Sequence, residues 1–216
     1  MKVKNMTTYY KDRAKAYDQS MYFEKPERNK EIKEMEKLQK KWFENKTIIE
    51  VACGPGYWTE IISKKANKIF ATDINNAMLD EARLKKFFCP VEFIAADAYD
   101  LPFRNEYFNA GFANFWISHL LRKDLKRFLN GFHDLLKPGS KVFFCDNVTG
   151  QGTSGKFIKR DNDTFRIRLL NDKPYKVIKN YYSKEELTKI FSPYAKNSKV
   201  NIKMGNWAWW VWYEKK

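Results

Sequence analysis

The stretch Glu50-Val51-Ala52-Cys53-Gly54-Pro55-Gly56-Tyr57 carries the densest chemistry in the 216 residues. Gly54 and Gly56 let the backbone pass close beneath a ligand where a Cβ would clash. Seventeen residues past Gly56 stands Asp73, followed by Ile74. A carboxylate there can accept both hydroxyls of a ribose. Twenty-four residues further on, Ala96-Asp97-Ala98 sets another carboxylate beside backbone N–H groups. That pairing suits an adenine edge, whose N6 donates and whose N1 accepts.

These residues need a scaffold that brings them together. Thr47–Ala52, Lys68–Thr72, Val91–Ala95, Tyr107–Ala113 and Lys141–Cys145 read as five short strands. Helical stretches near 57–66, 76–86 and 124–136 alternate with them, the last through Leu125, Phe128, Leu129, Phe132, Leu135 and Leu136. Alternation of this kind predicts βαβ units, a parallel sheet and helices on both faces. The glycine bend and both aspartates then fall at carboxyl ends of parallel strands, where such sheets bind ligands. Ahead of this core, residues 26–44 read as an amphipathic helix through Ile32, Met35, Leu38 and Trp42, with Pro26 in its first turn. After residue 150 the rhythm breaks. Phe165–Leu169 and Tyr175–Lys179 predict a hairpin, and a helix near 184–191 follows. Val200–Lys203 and Trp207–Tyr213 close the chain as two further strands, and Trp207, Trp209, Trp210, Trp212 and Tyr213 make the last one a core strand. Three segments result: 1–46, 47–150 and 151–216.

Composition narrows the function classes. Aromatic residues at 17% argue against disorder, and no apolar run is long enough to cross a bilayer. The N-terminus lacks an apolar leader, and Cys53, Cys89 and Cys145 are few and widely spaced. These features point to a reducing cytosol, with neither a disulfide framework nor a structural zinc site. The formal net charge is +15, and it is unevenly placed: +5 over 1–46, +1 over 47–150 and +9 over 151–216. Of the 41 basic residues 32 are lysine, spread thinly, which is compatible with an AT-rich coding bias as well as with an acidic partner.

Two cofactors fit a glycine bend with an acid on the next strand. A dinucleotide fingerprint requires a third glycine, and Gly54-Pro55-Gly56-Tyr57-Trp58-Thr59 lacks it. S-adenosylmethionine accounts for Glu50, the bend, Asp73 and Asp97 together. On these motifs residues 47–147 resemble a class I S-adenosylmethionine-dependent methyltransferase, in its ubiquinone/menaquinone-biosynthesis-type small-molecule branch. Glu50, Ala52, Gly54 and Gly56 match the glycine motif, with Ala52 in place of its first glycine. Asp73-Ile74 and Met78 match the ribose and adenine-packing positions. Ala96-Asp97-Ala98 with Leu101-Pro102-Phe103 matches the adenine side, and Leu136-Lys137-Pro138-Gly139 the turn before the fifth strand. Tyr10 to Asp18 resembles the tyrosine segment that closes over the cofactor. The resemblance implies a Rossmann-like, doubly wound α/β sheet of seven strands in the order 3-2-1-4-5-7-6. Its last strand runs antiparallel, an N-terminal helical lid precedes it, and a small β-hairpin is inserted after strand 5. It further implies cofactor contacts from Tyr10, Arg13, Tyr17, Trp58 and Asn114.

Methyl transfer from a sulfonium is an in-line displacement, so alignment and exclusion of water matter more than any one side chain. His119, past the fourth strand, is either a base or substrate contact, or a packed ring satisfied by a carbonyl. His133 reads as structural. Tyr9, Trp116, Asn147, Arg160 and Lys179 are candidate substrate contacts, and Arg160 and Lys179 would suit an anion. Asp146-Asn147 lacks a second carboxylate after strand four, so no metal is expected. The leading expectation is methylation at N or O of a small molecule, by a monomer or homodimer. Alternatives are an RNA or protein methyltransferase, suggested by the basic C-terminal third, and a non-catalytic S-adenosylmethionine-binding protein.

Overall fold

Ile48 and Ile49 are neighbours in the chain and both are fully buried, on opposite sides of one sheet. That arrangement requires a strand covered on both faces, and the computed structural model, which describes residues 5–23, 28–148 and 156–216, supplies the cover. The N-terminal part contains α1 (Met6–Arg13) and α2 (Asn29–Trp42). Pro26 lies outside the described residues. The core then runs β1 (Thr47–Val51), α3 (Tyr57–Ser63), β2 (Lys68–Asp73), α4 (Asn76–Arg83), β3 (Val91–Ala95), β4 (Phe108–Asn114), α5 (Arg122–Asp134) and β5 (Leu136–Asn147). Next come β6 (Lys156–Arg160), β7 (Asp163–Leu170), β8 (Lys173–Ile178), α6 (Lys184–Phe191), β9 (Asn201–Met204) and β10 (Ala208–Glu214).

The large sheet has the order β3-β2-β1-β4-β5-β10-β9. Strands β1 to β5 pair in parallel, and β10 runs antiparallel to both β5 and β9. With β9 and β10 as the sixth and seventh strands, this is the sheet order that the resemblance implies. One face carries Ile48, Ile69, Phe112, Phe143 and Trp210 against Ile32 and Met35 of α2, Ile62 of α3 and Leu79 of α4. The other carries Ile49, Phe70, Phe144, Trp209 and Tyr213 against Phe128 and Phe132 of α5 and Leu187 and Phe191 of α6. The period-two alternation of β10 thus buries successive tryptophans on opposite faces. Glu31 of α2 fixes the β9–β10 turn by accepting the N–H groups of Asn206 (2.6 Å) and Ala208 (2.9 Å).

The inserted region holds one strand more than the sequence suggests. β6 pairs with β7, which pairs with β8, in an antiparallel three-stranded sheet. Every residue of β6 is exposed, so it has no apolar alternation to betray it; only pairing to β7 makes it a strand. The β7–β8 turn is Asn171-Asp172, both with φ near +50°, as a tight two-residue hairpin requires. α1 is stitched to this small sheet. Tyr9 packs with Tyr175 and Val177, and the Tyr175 hydroxyl donates to Asp12 at 2.6 Å.

His133 and Tyr213 join the sheet to α5. The acceptor Leu129 O lies 2.6 Å from Nδ1 of His133, so that nitrogen carries the proton and Nε2 accepts from the Tyr213 hydroxyl at 2.8 Å. Burial holds His133 down to about 3. Burial, reinforced by the Lys179 charge, also holds His119 down to about 3. Both rings are neutral in the fold and would titrate near their ordinary 6.5 when unfolded. Their contribution is therefore fully present above that value and is lost as pH falls through 6.5 toward 3. Glu50, pushed up to about 8 by burial, works in the opposite sense: it is protonated in the fold and ionised in the unfolded chain between 4.5 and 8. Two protons against one leave a net loss of about 1.4 kcal/mol per pH unit between pH 6 and 5. Urea titrations across this range should show that slope, and H133Q should flatten it; a stability that rises on acidification would contradict the assignment.

Candidate active site

β1, β2 and β3 end side by side, with Val51 opposite Thr72 and Asp73 opposite Ala95. Their carboxyl ends open on one cleft, a cavity of about 240 Å³. Ala52 and Gly54 form its floor, Asp73, Ile74 and Met78 one side, and Ala96, Asp97 and Ala98 the next. Asn114, Trp116 and His119 come in from beyond β4, and Tyr10 and Tyr17 close over it from the N-terminal segment. Met6, Thr7, Asn75, Tyr99 and Phe115 also line it and were not singled out from sequence. Tyr99 and Phe115 adjoin Ala98 and Asn114, so chain adjacency to the motifs was the available signal.

The bend after β1 is built from left-handed residues: Ala52 (φ 56°), Gly54 (φ 56°) and Gly56 (φ 79°). Gly54 N donates to Asp73 Oδ2 at 3.0 Å, and Asn75 N to Oδ1 at 2.9 Å. Burial raises the Asp73 carboxyl, while these N–H groups pull it back. Each oxygen keeps a lone pair for a ligand. A Cβ built on Gly54 meets no protein atom within 4 Å, so the bend leaves open space that a side chain would fill. Gly56 is different. It lines neither the cleft nor the satellite pocket beside it, and a Cβ there would lie 3.0 Å from Ala82 Cβ of α4. Its role is close packing of two helices, not ligand approach. The pair makes a separable prediction. G54A should weaken S-adenosylmethionine binding by tenfold or more, since the new methyl enters the cleft, at a folding cost of about 1–2 kcal/mol. G56A should lower stability more than G54A and change cofactor affinity less, as read by calorimetry and chemical denaturation.

Glu50 and Trp58 sit around a small satellite pocket that shares Tyr17, Ala52, Gly54 and Asn114 with the main cleft. Glu50 is buried and accepts from Thr59 Oγ1 at 2.6 Å. The Asn114 amide points inward, donating to Gln39 Oε1 at 3.0 Å, so Asn114 serves the cleft as wall. Asp97 Oδ1 accepts from Tyr99 N at 2.9 Å, which fixes the turn after β3.

On the far side of Tyr10, Tyr17, Phe115 and His119 lies a second cavity of about 60 Å³. The partition is held by a hydrogen bond. His119 Nδ1 faces the Ile178 carbonyl at 2.7 Å, so Nδ1 carries the proton and Nε2 accepts from the Tyr10 hydroxyl at 2.8 Å. His119 is thus both packed on a carbonyl and set at the cleft wall. Tyr9, Arg13, Asn147 and Lys179 line the second cavity, joined by Arg166 and Arg168 of β7. Arg160 does not: it lies at the β6–β7 turn beside Leu121 and Arg122, lining another hollow. Lys179 Nζ binds Asp146 Oδ1 (2.9 Å) and Ser118 Oγ (2.7 Å), both buried. Among the described residues no cluster of three or more His, Cys, Asp or Glu side chains could hold a metal ion, and no helix is long and apolar enough to cross a membrane.

Comparisons with known proteins agree with this geometry. A methyltransferase-domain family model matches residues 48–139. The chain is 24% identical over 163 residues to a malonyl-(acyl-carrier protein) O-methyltransferase of Hamiltonella defensa subsp. Acyrthosiphon pisum, covering 76% of this chain and 56% of that one. It is 30% identical over 105 residues to a demethylmenaquinone methyltransferase of Clavibacter sepedonicus, covering 47% and 41%. The chain therefore spans about half the length of the curated relatives it matches. Among solved structures the DhpI–SAH complex superposes with a TM-score of 0.78 at 22% identity, over 97% of this chain and 94% of that one. The order of the sheet, the bend at its centre and these likenesses agree: over residues 48–139 the chain is similar to a methyltransferase domain, and its fold is that of the S-adenosylhomocysteine-bound structure it superposes on.

Proposed function

We propose that the protein methylates a small-molecule acceptor at N or O. When bound, S-adenosylmethionine supplies an electrophilic methyl carbon, which takes the acceptor's lone pair while the C–S electrons stay on sulfur. The observation that carries the reading is the pairing of two adjoining cavities across the Tyr10–His119 partition. The larger has the strand-tip carboxylates for an adenosine; the smaller has room for a compact molecule only. In this reading Asp73 holds the ribose, Asp97 the adenine edge, and the Glu50 pocket receives the amino-acid end. Trp116, Tyr10 and Tyr17 wall the transfer from water and favour a cationic centre through their π faces. His119, neutral and hydrogen-bonded on both nitrogens, orients the partition and meets the acceptor when Tyr10 moves aside; its depressed basicity makes it a poor proton acceptor near neutral pH.

The small second cavity, roofed by α1 and backed by β7–β8, also favours a small molecule over RNA or protein as acceptor. The test is calorimetry with S-adenosylmethionine and S-adenosylhomocysteine, followed by a screen of small amines, phenols and acids for S-adenosylhomocysteine release. Binding of both with release on a small acceptor is expected. No binding at millimolar ligand would overturn the reading.

A further inference from the structure

The four charged side chains lining the second cavity are Arg13, Arg166, Arg168 and Lys179, and all are cationic. Chance does not favour this, because like charges gathered beside Tyr9, Tyr10, Tyr17 and Phe115 repel one another. Arg166 and Lys179 are buried at 5% and 7% exposure. Arg166 and Arg168 are two residues apart on β7 and so share one face. Arg13 rests over the Tyr17 ring (4.7 Å) and donates to Ser20 Oγ, and Arg168 lies over the Tyr9 ring (5.7 Å). Neither Arg13 nor Arg168 is ion-paired with a carboxylate among the described residues. Lys179 is neutralised by Asp146 at 2.9 Å, so that carboxylate is already engaged and does not serve Arg13 or Arg168. Burial and the neighbouring Arg168 hold the Arg166 guanidinium below its ordinary pKa, in keeping with crowded positive charge.

We propose that this cavity binds the anionic group of the methyl acceptor, a compact carboxylate or phosphate-type oxyanion, with Arg168 and Arg166 as its main hydrogen-bond donors. Planar guanidinium groups donate in pairs to such oxyanions, and a cavity of about 60 Å³ accommodates one such group and little more. The proposal rests on the small-molecule reading above and names its substrate class. The acceptor atom would then lie across the partition, toward the cleft floored by Ala52 and Gly54.

The test separates the two claims. Inorganic phosphate and acetate are titrated separately into the protein at constant ionic strength, replacing chloride, with tryptophan fluorescence and melting temperature as readouts, with and without saturating S-adenosylhomocysteine. Saturable binding of at least one anion is expected, and which one tells a phosphate-type from a carboxylate acceptor. R168Q, at a partly buried position, should weaken that binding about tenfold or more while S-adenosylhomocysteine affinity stays within about twofold. R166Q provides the second variant, with the same expectation. Absence of saturable binding of either anion, or unchanged anion affinity in both folded variants, overturns the proposal even if the cofactor binds. Failure of S-adenosylhomocysteine to bind, with anion binding intact, overturns the methyltransferase reading instead.

Discussion

D73A should reduce S-adenosylmethionine affinity by about a hundredfold or more. The carboxylate sits at the cleft with both oxygens oriented by backbone N–H groups, Gly54 at 3.0 Å and Asn75 at 2.9 Å. Orientation is already in place, so in the proposed role a ribose diol would meet two aligned, charged acceptors. Hydrogen bonds to a charged group contribute about 1.5–3 kcal/mol each, and two of them exceed a factor of one hundred. Alanine has a second effect: it orphans Gly54 N–H and loosens the bend. D73N separates the two, because it keeps the shape and one carbonyl acceptor, and it should fall between wild type and alanine. Calorimetry reads the affinity and urea unfolding the loss of the bend. Affinity within threefold of wild type in folded D73A would remove Asp73 from the cofactor site.

The second large effect concerns folding. Asp146 and Lys179 are 0% and 7% exposed and 2.9 Å apart. Asp146 also accepts the backbone N–H of Ser118 (2.8 Å) and of Asn147 (2.8 Å). Burial alone would raise the Asp146 carboxyl, but the Lys179 charge and the Ser118 N–H help hold it below its usual range; burial lowers Lys179. D146N keeps shape and one acceptor yet leaves the Lys179 ammonium buried without its counter-charge. Such a break costs about 3–5 kcal/mol. For a domain of this size that is a fall of roughly 10 °C in melting temperature. The double variant D146N/K179M removes both charges and should be more stable than D146N alone, because no ion is left stranded. Denaturant titrations of the four proteins form the cycle. A double variant as unstable as the sum of its parts would show that the pair is not coupled.

The five parallel strands were legible between Thr47 and Cys145 because each holds a short apolar run, and the order of the whole sheet followed from the resemblance carried by the motifs. The gathering of Asp73 and Asp97 on one cleft followed from topology, since carboxyl ends of parallel strands share one edge. Other features are tertiary and left weaker marks. Gly56 reads in sequence like Gly54, yet its neighbour is Ala82 of another helix. Arg160 carries the charge expected of a substrate contact, but the turn at Asp161-Asn162 takes it away from the cleft. Arg166 and Arg168 were visible as an alternating pair in Phe165-Arg166-Ile167-Arg168-Leu169; what could not be read is which face of that strand looks inward. That depends on α1 docking Tyr9 against Tyr175 and Val177.

In the proposed reading the same docking would couple the two cavities. α1 contributes Tyr10 to the wall of both hollows while its Tyr9 is fastened to β8. An ordering of this helix by one ligand would then be an ordering for the other, and its entropy cost would be shared. Thermodynamic reciprocity then makes the exchange symmetrical: the factor by which the nucleoside tightens the acceptor is the factor by which the acceptor tightens the nucleoside.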